Sequence, residues 1–184
     1  VVEVISTGEL AGRVAELGEA VAADYAGRRP VLVAVLLGSI PFLADLVRAI
    51  PEPVEVDFLA LNRFGPGGRI RIAMDTAMPL SGRDVLVVED IIDTGLTLTV
   101  LRRMMIDRGA ASVAAVALFD KTTRRLVEVP IEYRGFEVGD EYLIGYGLDY
   151  QGKYRNLPSV WAMLDGEPFQ TDPLGPARYL YTVG

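Results

Sequence analysis

Apolar positions along the chain follow two alternating rhythms. Leu10, Val14, Leu17, Val21 and Tyr25 recur at helical spacing behind Ser6-x-x-Glu9, the spacing of a capping box. They predict a helix that Arg28-Arg29-Pro30 ends. Val31–Leu37 is apolar at every position, which suits a strand covered on both faces, as in parallel sheets. Gly38-Ser39 turns the chain, Phe42, Leu43, Leu46, Val47 and Ile50 stripe a second helix, and Val54–Leu61 reads as a strand. Asn62–Gly68, with three Gly and a Pro, is a turn or mobile loop, and Arg69–Met74 alternates Arg with apolar residues like a short exposed hairpin. Gly82-Arg83-Asp84 is a tight turn before the buried strand Val85–Val88. Thr97–Arg108 is then a helix, Val113–Leu118 a strand and Ile131–Val138 another. Strands alternating with helices predict an α/β fold with a mainly parallel sheet flanked by helices. In such sheets ligands sit beyond the carboxyl ends of the strands, so chemistry is sought there.

Composition narrows that chemistry. No repeat, charge run or low-complexity linker divides the 184 residues, so a single domain is expected, and 51% hydrophobic residues suffice for a sizeable core. Val1–Leu10 lacks the pattern of a signal peptide, and the longest uncharged run, Val31–Ala44, is 14 residues where a bilayer needs about 20. A cytoplasmic protein without membrane partners is the expectation. The net charge of −7, from 25 acids and 18 bases, argues against a nucleic-acid partner. With no Cys and no His, thiolate nucleophiles, cysteine–zinc sites and imidazole bases are excluded. Catalysis must run on carboxylates, Lys, Tyr, backbone dipoles or a metal held by oxygen ligands.

The strongest candidate lies after Val85-Leu86-Val87-Val88. Glu89 and Asp90 emerge at the end of that buried strand, where two carboxylates repel unless something cationic is bound. Asp93-Thr94-Gly95-Leu96-Thr97 follows and opens a helix, so backbone N–H groups and hydroxyls form a cradle suited to a phosphate. An acidic pair beside a phosphate cradle implies two ends of one ligand, one polyhydroxyl or magnesium-bound and one phosphate. The plainer alternative is strand-end acids followed by a Thr N-cap. Val85–Thr97 resembles the phosphoribosyl-pyrophosphate (PRPP) motif of type I phosphoribosyltransferases. That resemblance implies that Asp93–Thr97 holds the ribose 5-phosphate, with Glu89 and Asp90 facing the ribose hydroxyls and a magnesium ion. Asp93 would accept the proton from N7 of the incoming base.

Two further segments draw attention. The chain has 16 Arg but only two Lys, and Lys121 directly follows the strand Val113–Phe119 in Asp120-Lys121-Thr122-Thr123-Arg124-Arg125. It is either a solvated lysine or a point-charge donor to a ligand carbonyl. Asp140–Tyr150 is punctuated by Gly and rich in aromatics, which suits a platform for a planar ligand, a half-buried core or a subunit interface. Here D-K-x-x-R-R, G-F-E-V-x-D-E-Y, G-Y-G-L-D-Y and Y-R-N-L-P resemble the purine-carbonyl and hood segments of hypoxanthine-guanine phosphoribosyltransferases, over roughly Val2 to Leu164.

The resemblance implies a type I phosphoribosyltransferase fold with a core to about residue 125, a small hood over about 126–164 and an extension over 165–184. It implies transfer of phosphoribose from PRPP to hypoxanthine or guanine, giving IMP or GMP and pyrophosphate, with two Mg2+ ions. Lys121 would bond the purine 6-oxo group, Tyr142 stack on the purine and the Leu143 backbone meet its edge. Asp149 would hold the second magnesium, alongside Glu89 and Asp90 at the first. Arg155 and the loop Leu37-Gly38-Ser39 would bind pyrophosphate. Relatives of this kind are homodimers or homotetramers. Departures are Leu37 and Leu96, where relatives often carry a basic residue, and Arg63-Phe64-Gly65 in place of the lid's Ser-Tyr-Gly. They leave two alternatives open: a non-catalytic PRPP or nucleotide sensor, and a xanthine-preferring enzyme.

Overall fold

In the computed structural model, residues 1–64, 69–164 and 172–181 are described, with only the backbone of residues 63, 64, 69, 70, 178 and 179. Six strands form the main sheet: β2 (Val31–Leu36), β3 (Glu55–Phe64), β4 (Arg69–Met74), β5 (Asp84–Ile92), β6 (Ser112–Asp120) and β7 (Tyr133–Glu137). Their spatial order is β4-β3-β2-β5-β6-β7, parallel throughout except for β4, which runs antiparallel to β3.

The unbroken apolar runs are explained by helices on both faces. Leu32 and Ala34 of β2, Leu86 and Val88 of β5, and Val116 and Leu118 of β6 join one core cluster with α1 (Thr7–Asp24) and α2 (Ile40–Ala49). The alternate residues Val31, Val33, Val35, Val85 and Val87 pack against Leu98, Leu101 and Met105 of α3 (Leu96–Asp107). The capping box is present: Ser6 Oγ accepts from the Glu9 amide at 3.3 Å, and Glu9 Oε2 accepts from the Ser6 amide at 2.8 Å.

Three expectations are corrected. β5 extends through the acidic pair to Ile92, because Glu89, Ile91 and Ile92 continue the ladder with Ala117, Phe119 and Asp120. Arg69–Met74 is one strand paired to β3 rather than a hairpin of its own. The expected division near residue 125 also differs from the strand pairing. Tyr133–Glu137 completes the main sheet, while β1 (Val2–Ile5), at the far end of the sequence, joins β8 (Tyr142–Ile144) and β9 (Val160–Met163) in a separate antiparallel sheet.

We use the word hood for that second sheet and the loops it carries. Tyr146 Oη donates to Asp45 on α2 at 2.5 Å and ties the hood to the main body. The described part of the C-terminal extension packs on this same hood: Leu180 of α4 (Ala177–Leu180) joins Ile144, Tyr154, Leu157 and Met163 in one buried cluster.

The connection β2–α2–β3 leaves β2 on one side while β5 pairs with its other edge, so the strand order reverses between β2 and β5. A crevice opens at the carboxyl ends of strands at such a reversal, and both the Leu37–Ser39 loop and the Glu89–Thr97 segment lie there.

Candidate active site

β5 delivers Glu89 and Asp90 to the crevice, and the turn after it delivers Asp93 and Thr94 to the start of α3. Gly95 caps that helix with φ +83°, a conformation that favours glycine, and a Cβ there would stand 2.4 Å from the Val127 carbonyl oxygen. Leu126 and Val127 both donate their amides to the Thr94 carbonyl, at 3.0 and 3.1 Å, so the loop is fixed from beneath. A cavity of about 320 Å³ lies above it, lined by Glu89, Asp90, Asp93, Thr94, Gly95 and Thr97. Leu96 points outward, about half exposed.

A second cavity, of about 370 Å³, is lined by Lys121, Arg124, Tyr142, Leu143, Asp149 and Arg155. It shares Asp90, Ile91 and Asp93 with the first, so the two meet at the carboxylates. Lys121 is buried, and its Nζ donates to the Glu141 carbonyl at 2.7 Å and more weakly to the Asp140 carbonyl at 3.4 Å. Burial pulls its pKa below the ordinary lysine value. Tyr142 is half exposed, donates its hydroxyl to the Asp149 carbonyl at 2.7 Å and meets Tyr150 edge-on with centroids 5.7 Å apart. Arg155 pairs with Asp149 at 2.6 Å and donates to the Gly147 carbonyl at 2.5 Å.

Two carboxylates are unusual. Burial pushes the Asp90 carboxyl up to about 6, although the Ile91 amide donates to it at 2.8 Å. Asp93 Oδ1 is buried and accepts no hydrogen bond, although Arg124 Nε stands 2.9 Å away and forms an ion pair with it. Buried acceptors left open in this way are rare in folded proteins.

The Leu37–Ser39 loop lines neither cavity, yet it borders the site. The peptide between Leu36 and Leu37 is cis, Leu37 is exposed, and Ser39 is fully buried with its hydroxyl donating to the Val35 carbonyl at 2.6 Å. Gly38 lies so close to Asp90 that a Cβ would fall 1.6 Å from its Oδ2. On the hood side Gly147, at φ +98°, leaves no room for a Cβ against the Gly38 carbonyl oxygen, 1.9 Å from where it would stand. This glycine contact joins hood to body and escapes sequence reasoning, although the second Gly of Gly145-Tyr146-Gly147 is its visible trace. Asp120 and Arg125 form a buried ion pair beside the loop, for which the sequence signal is Asp120-Lys121-x-x-Arg124-Arg125. Arg63 and Phe64, expected in a lid, end β3, and their side chains lie outside the described residues, as does all of Gly65.

Residues 5–151 match the family model described as Phosphoribosyl transferase domain. Hypoxanthine-guanine phosphoribosyltransferase of Streptococcus thermophilus (strain CNRZ 1066) is 45% identical over 149 residues, 79% of this chain and 83% of that protein. The protein of the same name from Streptococcus pneumoniae (strain ATCC BAA-255 / R6) is 44% identical over 160 residues, 85% of this chain and 89% of its own. Among solved structures, a hypoxanthine phosphoribosyltransferase from Staphylococcus aureus superimposes with TM-score 0.86 at 32% identity, covering 91% of this chain and 92% of that one. A hypoxanthine-guanine phosphoribosyltransferase from Bacillus anthracis does so with TM-score 0.83 at 37% identity, covering 88% and 96%. With a family model that matches residues 5–151, and relatives that align over most of their length, the chain belongs to the hypoxanthine-guanine phosphoribosyltransferases.

Proposed function

We propose that the protein transfers the 5-phosphoribosyl group of PRPP to a 6-oxopurine, hypoxanthine or guanine, releasing IMP or GMP and pyrophosphate in purine salvage. The observation that carries this is the pair of cavities meeting at Asp90 and Asp93, one above a helix N-terminus and one beside a buried lysine. A nucleotide has its phosphate and its base at opposite ends of a ribose, and this arrangement offers a place for each.

The Asp93–Thr97 loop would hold the 5-phosphate with backbone N–H groups and hydroxyls at the positive end of α3. Lys121 would donate to the 6-oxo group, for which its Nζ needs only to exchange the weak contact to Asp140. Adenine, with an amine at that position, offers no acceptor. Tyr142 would stack on the base, and the Leu143 backbone, held by its pairing with Ala162, would meet the base's edge. Asp93 would take the N7 proton on Oδ1, whose one partner among the described residues is the ion-paired Arg124. Backbone amides of Leu37, Gly38 and Ser39 would face pyrophosphate. Arg155 would turn from Asp149 to bind it.

The donor set suits a hard divalent cation. It consists of oxygen ligands alone, and Asp90 is enclosed with no ion-pair partner among the described residues. Glu89 and Asp90 would hold one Mg2+ and Asp149 a second. Among the described residues no three acids cluster as a ready-made cage, so substrate oxygens and water would complete the coordination, as is usual for Mg2+. When bound, the metal neutralises charge developing on the departing pyrophosphate. Self-association as a homodimer or homotetramer would use the wholly apolar groove between α2 and β3–β4, lined by Ile40, Val47, Val56, Phe58 and Met74. Among the described residues no helix is long and apolar enough to cross a membrane.

Initial rates with PRPP and Mg2+ against hypoxanthine, guanine, xanthine and adenine test the reading. Turnover of hypoxanthine or guanine with adenine inert is expected. Absence of turnover with every base, while IMP still binds, would leave a nucleotide sensor instead, and preference for xanthine would move the specificity.

A further inference from the structure

Beneath the Thr94–Thr97 loop lies a cluster of charges that none of these roles uses. Asp120, the last residue of β6, has a fully buried side chain. Arg125 Nη2 donates to its Oδ1, and Arg134 Nε of β7 approaches its Oδ2 at 2.7 Å. Two guanidinium groups thus share one carboxylate, which leaves one positive charge in excess. Arg134 reaches solvent, with half its side chain exposed, whereas the Arg125 side chain is only 9% exposed. Arg125 Nη1 is buried without a hydrogen-bond partner among the described residues. Burying a guanidinium costs several kcal/mol unless its charge and its donors are matched, so the open Nη1 calls for a reason.

Its position supplies one. A Cβ on Gly95 would stand 3.1 Å from Arg125 Cδ and 3.3 Å from Nη1, so the guanidinium abuts the residue that caps α3. The next two residues, Leu126 and Val127, donate their amides to Thr94. Only Thr122–Arg124, a single 3₁₀ turn, separates Arg125 from Lys121. One turn of chain therefore carries Lys121 and Arg124 to the second cavity and sets the Arg125 guanidinium against Gly95, beneath the floor of the first.

We propose that Arg125 is a positioning residue for the phosphate end of the ligand. From beneath Gly95 it fixes the Thr94–Thr97 loop, and the charge that Asp120 leaves uncompensated raises the loop's affinity for a phosphate dianion. This rests on the reading of that loop as the 5-phosphate site. Asp120 holds the guanidinium under the loop, and Arg134 keeps the carboxylate from cancelling it.

The test compares the dissociation constants of IMP and inosine, which differ only by the phosphate, in the wild type, Arg125→Lys and Arg125→Gln. The inosine-to-IMP ratio of dissociation constants is expected to fall roughly tenfold or more in Arg125→Gln, the order set by losing one poorly screened charge. Arg125→Lys, which keeps the charge without the planar fork, should fall between Gln and wild type. Inosine affinity should change less than about twofold, whereas a merely structural role would weaken both ligands together. An unchanged ratio in the variants, or a parallel loss of both ligands, would overturn the proposal. Should the Gln variant not fold, the Lys variant decides alone, and a wild-type ratio there overturns it. A wild type that binds IMP no better than inosine would instead refute the phosphate-loop reading.

Discussion

The two cavities meet at the same carboxylates but are built differently. The side proposed for the phosphate (the phosphate side) is lined mainly by one stretch, Glu89 to Leu98, in which a strand, a tight turn and a helix start follow one another along the chain, with Val35 and Leu61 added from β2 and β3. The side proposed for the base (the base side) draws Lys121 from the end of β6, Tyr142 and Leu143 from the hood, and Asp149 and Arg155 from the segment between β8 and β9. The first is local backbone geometry, in which amides and a helix dipole are fixed as soon as the secondary structure forms. The second exists only when hood and body are docked, through Tyr146 on Asp45, Gly147 on Gly38, and Lys121 on the carbonyls of Asp140 and Glu141. Damage to the phosphate side should therefore be chemical and confined. Damage to the base side should mix chemistry with docking.

The sharpest separation is expected from Asp93→Asn, which removes a proton acceptor and leaves the loop backbone intact. The expected loss of kcat is about 10²–10⁴-fold, the range of general-base catalysis, with IMP affinity changed only a few-fold in a titration. Next is Lys121→Ala, for which kcat/KM with hypoxanthine should drop by an amount worth about 1–3 kcal/mol or more, because the buried 6-oxo group would go unpaired. KM for PRPP should change less than KM for hypoxanthine, since Lys121 reaches Arg155 only through hood docking, and wild-type-like kinetics would remove Lys121 from the base site. Gly38→Ala acts between the two regions. Its methyl would overlap Asp90 Oδ2 and force the Leu37–Ser39 loop or that carboxylate to shift, at a cost of about 1–3 kcal/mol of stability for an overpacked site, read by thermal or urea unfolding.

The smallest effect concerns the docking contact itself. Burial, and then the hydrogen bond to Asp45, raise the Tyr146 pKa above that of an ordinary phenol. The folded protein therefore retains that proton where the unfolded chain releases it, so stability is full below pH 10 and falls as pH rises further. Such a group contributes a slope of up to about 1.4 kcal/mol per pH unit. Tyr146→Phe should remove its share of the alkaline slope, while costing about 1 kcal/mol at neutral pH for the lost hydrogen bond. Tyr133, raised in the same way by burial and by Asp24, contributes to the remainder together with Tyr25, Tyr142 and Tyr154, which burial also raises.

The same contrast decides what could be read from the sequence. The β5–α3 segment was legible because an apolar run, an acidic pair and Thr-Gly-x-Thr dictate their own local geometry. Even there the strand end was misplaced, since pairing with β6 carries the ladder past Glu89 and Asp90 to Ile92. Strands β2 and β6 are legible from their continuous apolar runs, Val31–Leu36 and Val113–Phe119. The hood sheet was not, because β1 pairs with β9 from the opposite end of the chain and four-residue strands carry too little pattern to announce a partner. The base-side residues were reached through the resemblance of segments such as Gly145–Tyr150. Arg125 looked like one more arginine in an arginine-rich chain, and nothing local to it tells that Asp120 buries it against Gly95.

The central claim is that the two cavities receive the two ends of one nucleotide, and a crystal structure of the protein with IMP tests it most directly. The account predicts the phosphate on the amides of Thr94–Thr97, the base between Tyr142 and Leu143 with its 6-oxo oxygen on Lys121 Nζ, and N7 facing Asp93. A phosphate bound away from the α3 N-terminus, or a base outside the Lys121 cavity, would contradict it.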